Sequence, residues 1–134
     1  MTTMSKILGL NDRERFLAPM QIRRELVPLP ELGEGCSVWV HGMNALEWTA
    51  FQTEQQGKNG KPNDKAKRVR ERMVVHCCRD ESGLPLFSPA DVPAIGKQPA
   101  GMVERIVDTA LRLSGLASAE VETIAKNSDG TSEG

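Results

Sequence analysis

Between Asp80 and Ile95 the chain packs a turn, a short apolar element and a helix start into a single stretch, and this divides it into two mainly helical runs. Asp80 and Ser82 bond nearby backbone groups, and Gly83 takes positive φ without a Cβ clash, so the backbone turns here. Leu84, Pro85, Leu86 and Phe87 follow as an apolar edge. Ser88-Pro89-Ala90-Asp91 then reads as a helix N-terminus, with a Ser to accept orphan N–H groups, Pro in the first turn and a carboxylate favoured by the helix dipole. The helix it opens is short and ends near Gly96.

Before this stretch, Cys36-Ser37-Val38-Trp39-Val40-His41 is the strongest strand signal, rich in β-branched and aromatic types. Residues 21–29 carry apolar residues among charges and end in Val27-Pro28-Leu29-Pro30, which suits an edge strand because Pro cannot donate to an interior ladder. Glu31 to Gly35 joins the two, so the expectation is an N-terminal antiparallel pair. Such a pair needs a helix on one face to be stable. Asn44-Ala45-Leu46-Glu47 has capping-box spacing and starts that helix, with Trp48 and Phe51 three apart on one side. Core packing under the hairpin is the plainer reading of these two rings; a partner-docking patch is the sharper one. Residues 1–20 read as a weak helical turn or an extended arm, whose isolated apolar residues pack on their own domain or on a neighbouring subunit.

Gln55 to Asp64 is a loop by composition, and a helical pattern runs from Lys65 through Arg79, with Val69, Met73, His76 and Cys77 on one stripe. Its start is basic, from Lys58 to Arg72. A solvated helix face explains that charge; a nucleic-acid patch would need interleaved aromatics that are missing. Beyond Gly96, Met102, Val103, Ile106, Val107, Ala110, Leu111 and Leu113 form the broadest apolar helix face in the chain, closed by Gly115 as a C-terminal cap. A short helical segment covers Ser118 to Lys126. The Gly/Ser-rich residues 127–134 are expected to be disordered.

These elements define an α+β fold, a small N-terminal β-hairpin packed on a mainly helical domain. The expected organisation is an arm at 1–21, one domain at 22–126 and a polar tail at 127–134. A length of 134 residues suits one core, and with aromatics at only 4% that core is aliphatic. A net charge of -1 argues against bulk capture of nucleic acid or acidic membranes. No apolar run reaches the length of a membrane span and no signal-peptide pattern opens the chain, so an intracellular, soluble protein is expected.

Chemistry-bearing residues are sparse. His76, Cys77 and Cys78 invite a metal reading with Cys36 and His41. Consecutive helical residues point about 100° apart, however, so three neighbours cannot converge on one ion from a single helix. Cys36, Cys77 and Cys78 cannot all pair within the chain, which suits a reducing compartment. There is no phosphate-binding loop or dinucleotide fingerprint. No catalytic residue, cofactor or metal is expected, and the pattern argues against an enzyme.

The order of features carries a resemblance. Val38-Trp39-Val40 leads through Asn44-Ala45-Leu46-Glu47 into a helix, and a basic loop and helix end in Val75-His76-Cys77-Cys78-Arg79-Asp80. Gly83-Leu84-Pro85-Leu86-Phe87 to Asp91, then Ile95-Gly96-Lys97, an amphipathic helix ending at Gly115 and Lys126-Asn127-Ser128 complete it. Over residues 22 to 128 this resembles the small tail assembly chaperones of long-tailed bacteriophages and prophages, of the lambda-like type. The resemblance implies a non-enzymatic protein of the host bacterial cytoplasm that self-associates, coats the aggregation-prone tape measure protein and helps recruit tail tube subunits. It also implies absence from the finished virion and, in many such phages, a frameshift-extended second form that contacts the tube protein. Trp48, Phe51, Leu86 and Phe87 are the residues expected at the partner surface. The alternative is a small structural tail or connector subunit that stays in the particle.

Overall fold

The β-branched run at 37–41 forms the centre of a sheet in the computed structural model, which describes residues 5–20, 22–56, 67–116, 121, 123 and 124. Strand β2 (Ser37–His41) lies between β1 (Arg24–Pro28) and the short β3 (Cys78–Arg79), antiparallel to both. Val27 stands opposite Val38, and Cys78 opposite Val40. Opposed residues of antiparallel strands share a face. Val27, Val38, Val40 and Cys78 are therefore the inner, buried face. Leu26, Trp39 and Arg79 lie on the outer face, where the Arg24 guanidinium sits 4.0 Å over the Trp39 ring. The Pro-containing strand is at the edge, as its missing N–H requires.

Two expectations are corrected here. The sheet has a third strand beyond the anticipated pair, and the helix anticipated through Arg79 ends earlier, as α3 (Val69–Cys77). Nothing in the local sequence stops a helix at Cys77. Cys78 instead adopts extended φ/ψ and gains both the ladder with Val40 and complete burial, so tertiary pairing overrides helical propensity. The chain then turns where Asp80 dictates: its Oδ1 accepts the N–H groups of Ser82 and Leu84 and the Ser82 hydroxyl. Gly83 has φ 92°, which an L side chain rarely adopts. Asp80 N–H donates to Leu84 O and Leu86 N–H to Cys78 O, folding the Leu84–Leu86 segment back along β3.

The remaining helices follow their sequence signals closely. α2 (Ala45–Glu54) opens on a reciprocal capping box, Glu47 N–H to Asn44 Oδ1 at 2.8 Å and Asn44 N–H to Glu47 Oε1 at 2.9 Å. A 3-10 turn (Pro89–Asp91) leads into α4 (Val92–Ile95), and Asp91 Oδ2 accepts the Ser88 N–H at 2.8 Å. α5 (Ala100–Leu113) buries Met102, Val103, Ile106, Val107, Ala110 and Leu111. It ends in a Schellman motif, with Gly115 at φ 78°, Leu116 N–H bonded to Leu111 O at 2.8 Å and Gly115 N–H to Arg112 O at 3.0 Å.

α5 is fastened to the sheet at both ends of β1. Arg105 donates to Pro28 O and forks onto the Glu31 carboxylate at 2.7 and 3.0 Å, while Arg112 reaches Glu25 at 2.9 Å. α3 packs between α4 and α5, and the two layers enclose a core that also takes in Phe51 and Val121. The arm folds into a 3-10 turn (Leu10–Asp12) and α1 (Arg13–Leu17) that pack on each other. Its large side chains face solvent, Ile7 at 93%, Leu10 at 90% and Phe16 at 73% exposure. Most of the loop from Gln55 to Asp64, most of the segment 118–126 and all of the tail 127–134 lie outside the described residues.

Candidate functional site

The inner sheet face is not fully covered by α5. At the end of the sheet where β1 leaves and β2 enters, the layers part into an open groove of about 330 Å3. One wall is Leu29, Leu32 and Val38, from the strand ends and their connection. The other is Ile95, Met102 and Ile106, from α4 and α5, and Leu86 and Phe87 from the folded-back segment close one side. Asp91 is the charged residue among those lining it. Leu32 and Leu86 remain 58% and 47% exposed, although burying a leucine fully is worth about 1.5–3 kcal/mol. An apolar concavity rimmed by unburied leucines is suited to receiving an apolar segment from elsewhere.

The four residues expected at a partner surface separate into two places. Leu86 and Phe87 line the groove. Trp48 and Phe51 lie on α2, stacked with ring centroids 5.7 Å apart, and do not line it. Phe51 is completely buried and meets the His76 ring edge-on at 5.2 Å, so its ring is core packing that backs the half-buried Trp48. The groove residues Leu29, Leu32, Ile95 and Met102 were not among those expected at a partner surface. Their signal was present in one respect, since a large leucine in a turn, as at 32 and 86, has no local reason to be apolar.

Polar chemistry lies elsewhere. Glu54 at the end of α2 accepts a fork from Arg72 at 2.9 and 3.2 Å and faces His76 Nε2 at 3.0 Å. Burial raises its carboxyl, and the hydrogen bonds from Arg72, its charge and the contact with His76 outweigh that, leaving it below the ordinary value. Arg70 pairs with Glu104 on α5. The described part of the basic segment is thus partly spent on ion pairs within the fold; Lys58, Lys61 and Lys65 lie outside the described residues. His41 is held below the ordinary value by desolvation, with Arg79 and Arg24 adding to it.

The His76-Cys77-Cys78 run, which the sequence argued against as a metal site, divides between a polar contact and the core. His76 faces Glu54, while burial pushes the Cys77 and Cys78 thiols up to about 12. Thiols so raised are poor nucleophiles. Among the described residues no group of three or more His, Cys, Asp or Glu side chains could hold a metal ion. No helix among them is long and apolar enough to cross a membrane.

A three-stranded sheet backed by helices and left open at one end defines an α+β class of small domain with a receptive apolar edge. The same architecture is found in the solved structure of the bacteriophage HK97 tail assembly chaperone, with a TM-score of 0.52 and 19% sequence identity. The match spans 77% of this chain and 92% of that one, so the likeness is of the whole fold. No protein-family model matches the sequence. No curated protein matches it either.

Proposed function

We propose that this chain is a phage tail assembly chaperone: a non-enzymatic protein that acts in the host bacterial cytoplasm and holds the tape measure protein in solution. It would help recruit tail tube subunits while the tail is built and be absent from the finished virion. The observation that carries this reading is the open groove with Leu32, Leu86 and Phe87 at its mouth, on a fold shared with a chaperone of that kind. A long apolar helix is recognised by laying one face into such a groove, and many weak copies along it give avidity without one tight site. Self-association of the chain belongs to the same reading, because a coat needs neighbours.

Co-expression with the tape measure protein of the same phage or prophage tests it, with affinity pull-down followed by size-exclusion chromatography and light scattering. A soluble complex containing many copies of this chain is the expected result. An insoluble, unbound tape measure protein, together with stoichiometric amounts of this chain in purified virions, would overturn it in favour of a structural tail subunit.

A further inference from the structure

The arginines on the two sides of the sheet have different partners. Toward the helices, Arg105 and Arg112 are spent on the carboxylates of Glu31 and Glu25, and Arg70 and Arg72 on those of Glu104 and Glu54. On the outer face, Arg24 and Arg79 meet no carboxylate among the described residues. Each donates instead to a backbone carbonyl, Arg24 to Glu81 O at 3.1 Å and Arg79 to Gly83 O at 3.2 Å. We infer that these two guanidiniums are a receptor for a carboxylate on an acidic, apolar segment of a partner protein, docked on the sheet face opposite the groove. The inference stands apart from the chaperone reading, because the groove belongs to the inner face.

Arg24 and Arg79 come from β1 and β3, on either side of β2, yet they reach carbonyls two residues apart in a single turn. Arg24 also lies 4.0 Å over the Trp39 ring, and Arg79 stands opposite Trp39 in the ladder. Two positive charges are thus gathered without a counter-charge. Both act on His41, which is lowered first by desolvation and then by Arg79 and Arg24, and whose buried Nε2 has no hydrogen-bond partner. A guanidinium carries five donors in a planar fork, so one carbonyl bond apiece holds each in place and leaves most of its donors unspent. Such forks take a carboxylate bidentately.

The surroundings favour a polypeptide carboxylate over a nucleic-acid phosphate. Leu26 pairs with Trp39, Trp39 with Arg79 and Arg79 with Pro85, so Leu26, Trp39 and Pro85 add an apolar row to the same face. Leu26 is 50% exposed, and a partner side chain next to the carboxylate gains burial against it. Trp39 is the one aromatic in that row and Arg24 already covers it, which leaves no stacking platform for bases. Three acids lie near and repel a phosphate chain. Glu47 acts on His41 and accepts Asn44 N–H, Asp80 accepts the Ser82 and Leu84 N–H groups, and Glu81 is exposed in the turn. None of the three forms an ion pair with Arg24 or Arg79 among the described residues.

The test passes a random twelve-residue peptide display library over the full chain and over its Arg24→Gln, Arg79→Gln double variant. Unchanged thermal melting confirms that the variant folds; Arg24→Gln alone, at an exposed position, serves if the double variant melts lower. Peptides retained by the parent and not by the variant are expected to carry Asp or Glu beside Leu, Ile or Phe. The strongest of them, made synthetically, is expected to bind the arginine variant at least tenfold more weakly, and to lose as much when its own acids become Asn or Gln. It should bind the groove variant Leu86→Glu within twofold of the parent, and a single-stranded DNA 20-mer should bind the parent at least tenfold more weakly than the peptide does. Selection without an acidic signature, equal retention by parent and arginine variant, loss of binding on Leu86→Glu, or tighter binding of the DNA would each overturn the inference.

Discussion

Gly42 lies against the end of α5 so closely that a β-carbon at position 42 would come within 2.6 Å of the Leu113 carbonyl oxygen and 2.8 Å of its carbon. The next residue continues the contact: Met43 N–H donates to Ser114 Oγ at 2.7 Å, and that hydroxyl donates to Ala110 O. The link between β2 and α2 is therefore clamped onto the C-terminal end of the main core helix. Backbone atoms cannot swing aside as a side-chain tip can. Gly42→Ala is expected to destabilise the fold by about 1–3 kcal/mol through overpacking, read as a lower urea midpoint at unchanged m-value.

Phe51 and Leu86 should respond oppositely to truncation. Phe51→Ala empties a completely buried site and is expected to cost about 3–5 kcal/mol. Leu86→Ala removes a half-exposed side chain and should shift stability by about 0.5 kcal/mol or less, while reducing co-purification of the tape measure protein. Urea unfolding and the pull-down together separate the two. Loss of client binding by a stable variant of Trp48, with Leu86→Ala silent, would move the binding surface to α2.

The three thiols should divide cleanly under native conditions. Cys36 is exposed, whereas Cys77 and Cys78 are buried with their acidity suppressed to about 12. A thiol-reactive chromophore at pH 8 is expected to label one site quickly and two only after denaturant is added. Mass spectrometry of the peptides identifies which.

Acid should weaken the fold through carboxylates held below their usual range. Arg105 lowers Glu31 to about 2 from 4.5, and Arg72 and His76 lower Glu54 against the opposing effect of burial. In both cases the unfolded chain takes up the proton first, so the stabilisation is present above the unfolded value near 4.5 and is lost as pH falls toward about 2 for Glu31. Depressed His41 acts with the same sign from its unfolded value near 6.5 downward. Glu31→Gln is expected to flatten the fall of the urea midpoint between pH 5 and 3. An unchanged slope would mean that the Arg105 fork does not persist in solution.

Much of this fold is legible locally. The Asn44 box, the Asp80–Gly83 turn, the helix start at Ser88 and the Gly115 cap are each specified by a few adjacent side chains, and each forms where those side chains stand. β3 was not legible, because its cause is Val40, far away in sequence, and Cys78 itself has no strand signal. The groove was half legible for the same reason. Leu86 and Phe87 announce themselves as an apolar edge, but Leu29 and Leu32 on one side and Ile95 and Met102 on the other become facing walls only once α5 crosses the sheet. Phe51 shows the converse, an aromatic conspicuous in sequence that the fold puts wholly inside.

The bonds from Arg105 to Pro28 and Glu31 join the first strand to the last long helix across most of the chain. They set an order in time during synthesis. The arm and β1 emerge before the far wall of the groove, whose Ile106 follows Phe16 by about ninety residues. At translation rates of about 5–20 residues per second that interval is roughly 5–20 s. Throughout it a nascent chain carries one wall of the groove without the other, so the groove exists only once α5 has closed on the sheet.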